Sequence, residues 1–161
     1  MGKIKKFTGL KLSKSDAVRD PVKLIEKFIE NSGFEPAESL SESTHDTRRW
    51  VIETGEDEVM EILLEAISKP TETSVYMGIN VAVVPVRSSS DFLAAALEVA
   101  DGLIGVKISL VGHFLVMSVS APLSGLTIED LEYNHMLITT QAPWYQNALA
   151  TELEWESLPD Y

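Results

Sequence analysis

GVKISLVGHFLVMSVSA, residues Gly105–Ala121, alternates apolar and small or polar residues on both sides of a Gly-His pair. That pattern predicts a β-hairpin with its turn at Gly112-His113. Glycine at the first central position suits a type II′ turn. The register then follows. Leu110 faces Leu115, Ile108 faces Met117 and Val106 faces Val119. Directly opposed residues share a face, so these six are expected to form one dry surface. Lys107 opposite Ser118, Ser109 opposite Val116 and Val111 opposite Phe114 make up the other, mixed face.

Working outward, Ser90 to Asp101 precedes the hairpin and reads as a helix capped by Ser90 and ended by Gly102. Phe92, Leu93, Ala95, Ala96, Leu97 and Val99 make it apolar almost all round. Before it, Val75 to Val84 is a strand. Val75, Met77, Ile79, Val81 and Val83 fall on one face, and Tyr76, Gly78, Asn80, Ala82 and Val84 on the other, until Pro85 stops it. After the hairpin, Thr127 caps a long helix, with Asp130 completing a capping box. Its apolar face runs through Ile128, Leu131, His135, Ile138, Ala142, Tyr145 and Leu149. Pro143 is expected to kink this helix or to begin a second one.

Towards the N-terminus, Asp20-Pro21 opens a helix with the stripe Leu24, Ile25, Phe28 and Ile29, closed by Gly33. Phe34 to Thr47 is polar and serine-rich, a loop or a ragged edge strand. Arg48 to Thr54 is a strand. Glu58 to Ser68 fits a helical stripe or a strand with Met60, Ile62, Leu64 and Ala66 inward. The flanking strands and short turns favour a strand. The sum is an α+β fold, an antiparallel sheet of about five strands with helices packed on it, in the order α-β-β-β-α-β-β-α. Residues 1–161 are expected to form one domain, with 1–19 a flexible basic arm and 152–161 a frayed acidic tail, in which Trp155 is the residue able to tack it down.

The chain has 161 residues, no cysteine and a formal net charge of −12. The acidity opposes binding to nucleic acid and anionic membrane. Without cysteine there are no disulfides or thiolate metal sites, which fits the cytoplasm. The charge is uneven, because Lys3, Lys5, Lys6, Lys11 and Lys14 crowd the first segment.

Chemistry is hard to place on this sequence. No Gly-x-Ser-x-Gly elbow is present. His45, His113 and His135 sit in separate elements, with no metal-ligand spacing. The acidic groups read as charged turns, outer faces and a helix N-terminus. Gly102 and Gly105 follow a helix, which makes them a cap and not a phosphate cradle. No enzyme, metal or cofactor is expected. Two features exceed the needs of a monomer: the helix apolar on every side, and the methionines Met60, Met77, Met117 and Met136, of which Met77 and Met117 are assigned to the core.

The helix FLAAALEVADGLIG, the hairpin VKISLVGHFLVMSVSAPL and the turn GLTIEDL into the last helix, within Phe92 to Leu131, together resemble the bacterial YbjN-type family. That family is similar in fold to the type III secretion chaperones. Val75 to Pro85 and Trp50 to Glu53 fit its earlier strands, while the basic arm and Pro143 depart from it. The resemblance implies a small, acidic, non-enzymatic homodimer that binds a protein client. It puts Phe92, Leu93 and Leu97 at the dimer contact, and Tyr76, Val84 and Phe114 on a client-facing surface. The alternative is a small-molecule binder with a pocket between the sheet and the last helix, near His135 and Tyr145.

Overall fold

The computed structural model describes residues 20–55, 58–69 and 73–153. Its elements are α1 (Pro21–Asn31), α2 (Pro36–Ser39), β1 (Leu40–Ser43), β2 (Arg48–Gly55), β3 (Glu58–Glu65), β4 (Ser74–Val83), α3 (Ser89–Ala100), β5 (Lys107–Val111), β6 (Phe114–Pro122) and α4 (Ile128–Glu152). The six strands form one sheet in the order β1-β2-β3-β4-β6-β5, and every neighbouring pair is antiparallel.

The hairpin adopts the expected register, with Leu110 opposite Leu115, Ile108 opposite Met117 and Lys107 opposite Ser118. Gly112 takes φ +61 and His113 stays at negative φ, the pattern of a type II′ turn. The dry surface is smaller than expected. Leu115 and Met117 are buried, but Leu110 is 53% exposed. Strand β5 is an edge of the sheet; its Ile108 packs partly against the core, while Leu110, next to the turn, does not.

Glu58 to Glu65 is a strand, with Met60, Ile62 and Leu64 buried. It ends one residue before Ala66, which sits at φ +55. The sheet has six strands and not five, because Leu40–Ser43 pairs with β2. All four of its residues are exposed, and an exposed polar edge carries no alternating hydrophobic signal.

Helix ends follow elementary capping chemistry. Asp20 accepts from the Lys23 N–H, with Pro21 in the first turn. At the other end of α1 the Gly33 N–H donates to Glu30 O and the Phe34 N–H to Ile29 O, a Schellman motif with Gly33 at φ +90. Thr127 and Asp130 form the reciprocal capping box of α4. Helix α3 differs from expectation: its N-cap is Ser88, in the left-handed region, and not Ser90.

The core lies between one face of the sheet and α1, α3 and α4. Trp50, Ile52, Met60, Ile62, Leu64, Met77 and Met117 meet Ile25, Phe28, Phe92, Leu131, Ile138 and Tyr145 there. Helix α4 runs unbroken through Pro143, and no second helix begins. Pro143 is exposed, while Ala142 and Tyr145 beside it are buried. Tyr145 donates its phenol proton to Ala96 O of α3 at 2.9 Å. Tertiary packing thus holds the helix where local chemistry would break it.

Candidate partner-binding surface

The sheet is covered by helices on one face. On the other face the register sets Arg49, Leu63, Tyr76 and Ser120 in one row, and Val51, Glu61, Gly78, Ser118 and Lys107 in the next. Arg49 Nε lies 2.7 Å from Glu61 Oε1 and 3.7 Å from Glu42 Oε2, bridging β1, β2 and β3. The Tyr76 ring folds over Gly78, where any Cβ would collide with its hydroxyl. Burial raises the Tyr76 pKa, and the neighbouring Ser118 hydroxyl pulls it back down. Ser118 is itself fully buried on this face, and Val116 is 7% exposed, although neither belongs to the main core.

A β-bulge decides the far end of this face. The β4–β6 register shifts between Asn80 and Ala82, so Ala82 opposes Leu115 and Val83 opposes Phe114. Opposed residues share a face. Ala82 therefore turns to the core side and Val83 turns out, the reverse of simple alternation. Val84 packs against the core, so among the anticipated client-facing residues Tyr76 and Phe114 share the outer face and Val84 does not. Val83, Phe114 and Val111 follow one another across three strands, 60%, 43% and 56% exposed.

This apolar ridge adjoins a groove of about 1080 Å³. One wall is the end of β4 and the segment after it, with Val81, Val83, Pro85 and Val86. The other is the last two turns of α4, with Gln146, Leu149, Ala150 and Leu153. Phe92 lies at its base and Arg87 on its rim. Val86 is 94% exposed, an unusual position for valine. Among the described residues Arg87 makes no ion pair or hydrogen bond.

The anticipated dimer residues divide. Phe92 is 3% exposed and belongs to the core, Leu93 is half-buried, and Leu97 is 70% exposed. Helix α3 buries Phe92, Ala95 and Ala96, packs Leu93, Val99 and Ala100 partly against the core, and shows Ala94, Leu97 and Glu98 to solvent. Ile104 and Leu110, further along the chain, are also exposed.

His135 and Tyr145, the two residues named for the expected pocket, sit in different surroundings. His135 lines a space of about 360 Å³ with Phe28, Asn31, Ser32, Phe34, Glu53, Thr54 and Glu132. Tyr145, ten residues along α4, is sealed in the core, where burial pushes its pKa up to about 12. His45 and His113 are exposed in turns, and among the described residues no three potential ligands converge on a metal site. None of the helices is long and apolar enough to cross a membrane among the described residues.

Three solved structures share this architecture. The fold is type III secretion chaperone-like. A chain of the HopA1–SchA chaperone–effector complex covers 78% of this protein and is covered to 91%, at TM-score 0.51 and 14% identity. A chain of the ExsC–ExsE complex covers 80% and is covered to 92%, at TM-score 0.56 and 15% identity. A chain of the heterodimeric ExoU–SpcU complex from the type III secretion system of Pseudomonas aeruginosa covers 79% and is covered to 98%, at 0.51 and 16%. No family model and no curated protein sequence matches the chain.

The bulge at Val81 and the groove are what sequence reasoning missed. A signal for the groove was available: Pro85-Val86-Arg87 puts an apolar residue in a segment that no periodic pattern claims.

Proposed function

We propose that this chain is a non-enzymatic, chaperone-like protein-binding module that works in the cytoplasm as a small acidic homodimer. The resemblance of Phe92 to Leu131 to the YbjN-type family belongs to the same proposal. One observation carries it. The ridge Val83–Phe114–Val111 runs into a large apolar groove, on a fold shared with chains of chaperone–effector complexes. Contiguous exposed apolar surface of this kind marks a protein-interaction site. Tyr76 extends the client surface along the sheet face opposite α1, α3 and α4. Leu97, with the exposed part of Leu93, forms the dimer contact, and Phe92 backs it from within the core.

The test has two arms. Sedimentation equilibrium on the whole chain is expected to give a dimer, and Leu97→Glu a folded monomer. Affinity capture followed by mass spectrometry is expected to return a partner that Phe114→Glu and Val83→Glu both lose while circular dichroism stays unchanged. A strict monomer at high concentration, together with a capture profile indifferent to both ridge variants, overturns the reading.

A further inference from the structure

The small pocket beside His135 shares no residue with the ridge or the larger groove, and its lining has one electrostatic character. It lies where α1, β2 and α4 meet. Its volume of about 360 Å³ falls within the roughly 300 to 1,000 Å³ usual for small-ligand sites. The apolar wall is aromatic. Phe28 of α1 and Phe34 just after it contribute two rings, and the His135 ring meets Phe28 edge-on, 5.8 Å between centroids. The exposed side of the lining is acidic, with Glu53 from the end of β2 and Glu132 from the second turn of α4. Neither carboxylate forms an ion pair among the described residues. Ser32, the C-cap of α1, lines the same space, so the negative end of that helix dipole lies beside it. No lysine or arginine lines the pocket among the described residues. Burial holds His135 below its ordinary 6.5, so the ring is largely uncharged at neutral pH.

We propose that this pocket binds a guanidinium group, which stacks on the aromatic wall and donates its N–H groups to the Glu53 and Glu132 carboxylates. The unpaired carboxylates, the helix C-terminus and the aromatic rings all attract positive charge, and no fixed cation in the lining opposes it. The net charge of −12 adds a general field of the same sign. A metal ion does not fit, because among the described residues no three potential ligands converge. Among organic cations the guanidinium is planar and weakly hydrated. It stacks on rings and offers several donors to carboxylates, whereas an ammonium is compact and strongly hydrated. The group can belong to a free small molecule or to an arginine side chain of a bound polypeptide, and the recognition chemistry is the same for both.

The experiment titrates the full chain by NMR at about 150 mM salt, where the general pull of the net charge is screened. The probes are methylguanidinium, N-acetyl-arginine amide and N-acetyl-lysine amide, each a monocation. Saturable shifts are expected at Phe28, Thr54 and His135, with Val83 and Phe114 unmoved. Glu53 and Glu132 are exposed, so Glu53→Gln and Glu132→Gln keep the fold. Each variant is expected to weaken binding of the guanidinium probes about tenfold, the loss of one charge-assisted contact. Glu129→Gln removes the same charge from an exposed position outside the pocket and is expected to leave binding unchanged. The lysine probe is expected to bind several-fold more weakly than the arginine probe. Tighter binding of the arginine amide than of methylguanidinium assigns the group to a polypeptide side chain, and the reverse order assigns it to a free small molecule. No saturable shift with either guanidinium probe up to roughly 10 mM, tenfold above a millimolar affinity, overturns the proposal. Equal binding of the lysine probe overturns it as well. So does a loss in Glu129→Gln as large as that in Glu132→Gln, because the effect is then net charge alone. None of these readouts uses the ridge, so the pocket and the client surface stand or fall separately.

Discussion

His135 shows how one side chain reports on its surroundings. It sits on the apolar stripe of α4, with its ring 5.8 Å from the Phe28 ring in an edge-on contact. Burial lowers its pKa below the ordinary 6.5. Glu53 and Glu132 line the same small pocket, and desolvation sets the direction of the shift. A histidine whose folded pKa lies below its unfolded value contributes stability that is present above the unfolded pKa. That contribution is lost as pH falls through the folded pKa, because the unfolded chain binds the proton first. The urea midpoint is therefore expected to drop between pH 7 and pH 5. His135→Gln, which cannot titrate, should show a shallower drop across the same interval. Equal slopes for the two proteins would remove His135 from the account.

At the scale of an element, α4 is the clearest conflict between local and tertiary chemistry. Pro143 has no N–H to give to Thr139 O, and its ring crowds that carbonyl, which costs about 3 kcal/mol in a helix interior. The helix continues because Ile138, Ala142, Tyr145 and Leu149 are all buried on one side of it and Tyr145 is bonded to α3. Pro143 itself faces solvent, so Pro143→Ala loses no packing. It is expected to stabilise the protein by about 1 to 2 kcal/mol, the helix gain less the entropy that proline withholds from the unfolded chain. Urea unfolding measures it, and an unchanged midpoint would mean that the helix had already relaxed around the proline. The same contrast explains what could be read from residues alone. Hairpin register was legible because Gly112 and the two-residue period are local facts. The stripe of α4 and the N-caps Asp20 and Thr127 were legible for the same reason. The strand at Glu58 could be recognised only through its neighbours. The bulge at Val81 was not legible, since it is set by pairing with Leu115 and Val116, more than thirty residues away. It moved Val83 outward and Val84 inward, and with them the far end of the candidate surface. Strand β1 and the exposure of Leu110 depend likewise on where the sheet ends, which no single strand encodes.

The whole molecule carries a net charge of −12, and its basic residues are unevenly shared, with five lysines before residue 15. A folded chain of 161 residues has a radius of gyration of roughly 15 Å. At 0.01 M ionic strength the Debye length is about 30 Å, so every carboxylate feels every other; at 0.15 M it is about 8 Å, and only neighbours remain in contact. Folding brings the acidic groups closer together than the expanded chain does, and the self-repulsion opposes the compact state. Among the described residues the ion pairs of Lys23 with Asp20 and of Arg49 with Glu42 and Glu61 are surface pairs of little individual worth, so screening them loses little. Repulsion therefore dominates the salt response. The thermal midpoint is expected to rise as sodium chloride goes from 10 to 150 mM, the opposite of a protein held by surface salt bridges, and calorimetry at the two concentrations reads the sign directly. A midpoint that falls with salt would mean that attraction between the lysines of the first segment and the acidic body outweighs repulsion within that body. Deleting residues 1–19 would then turn the fall into a rise.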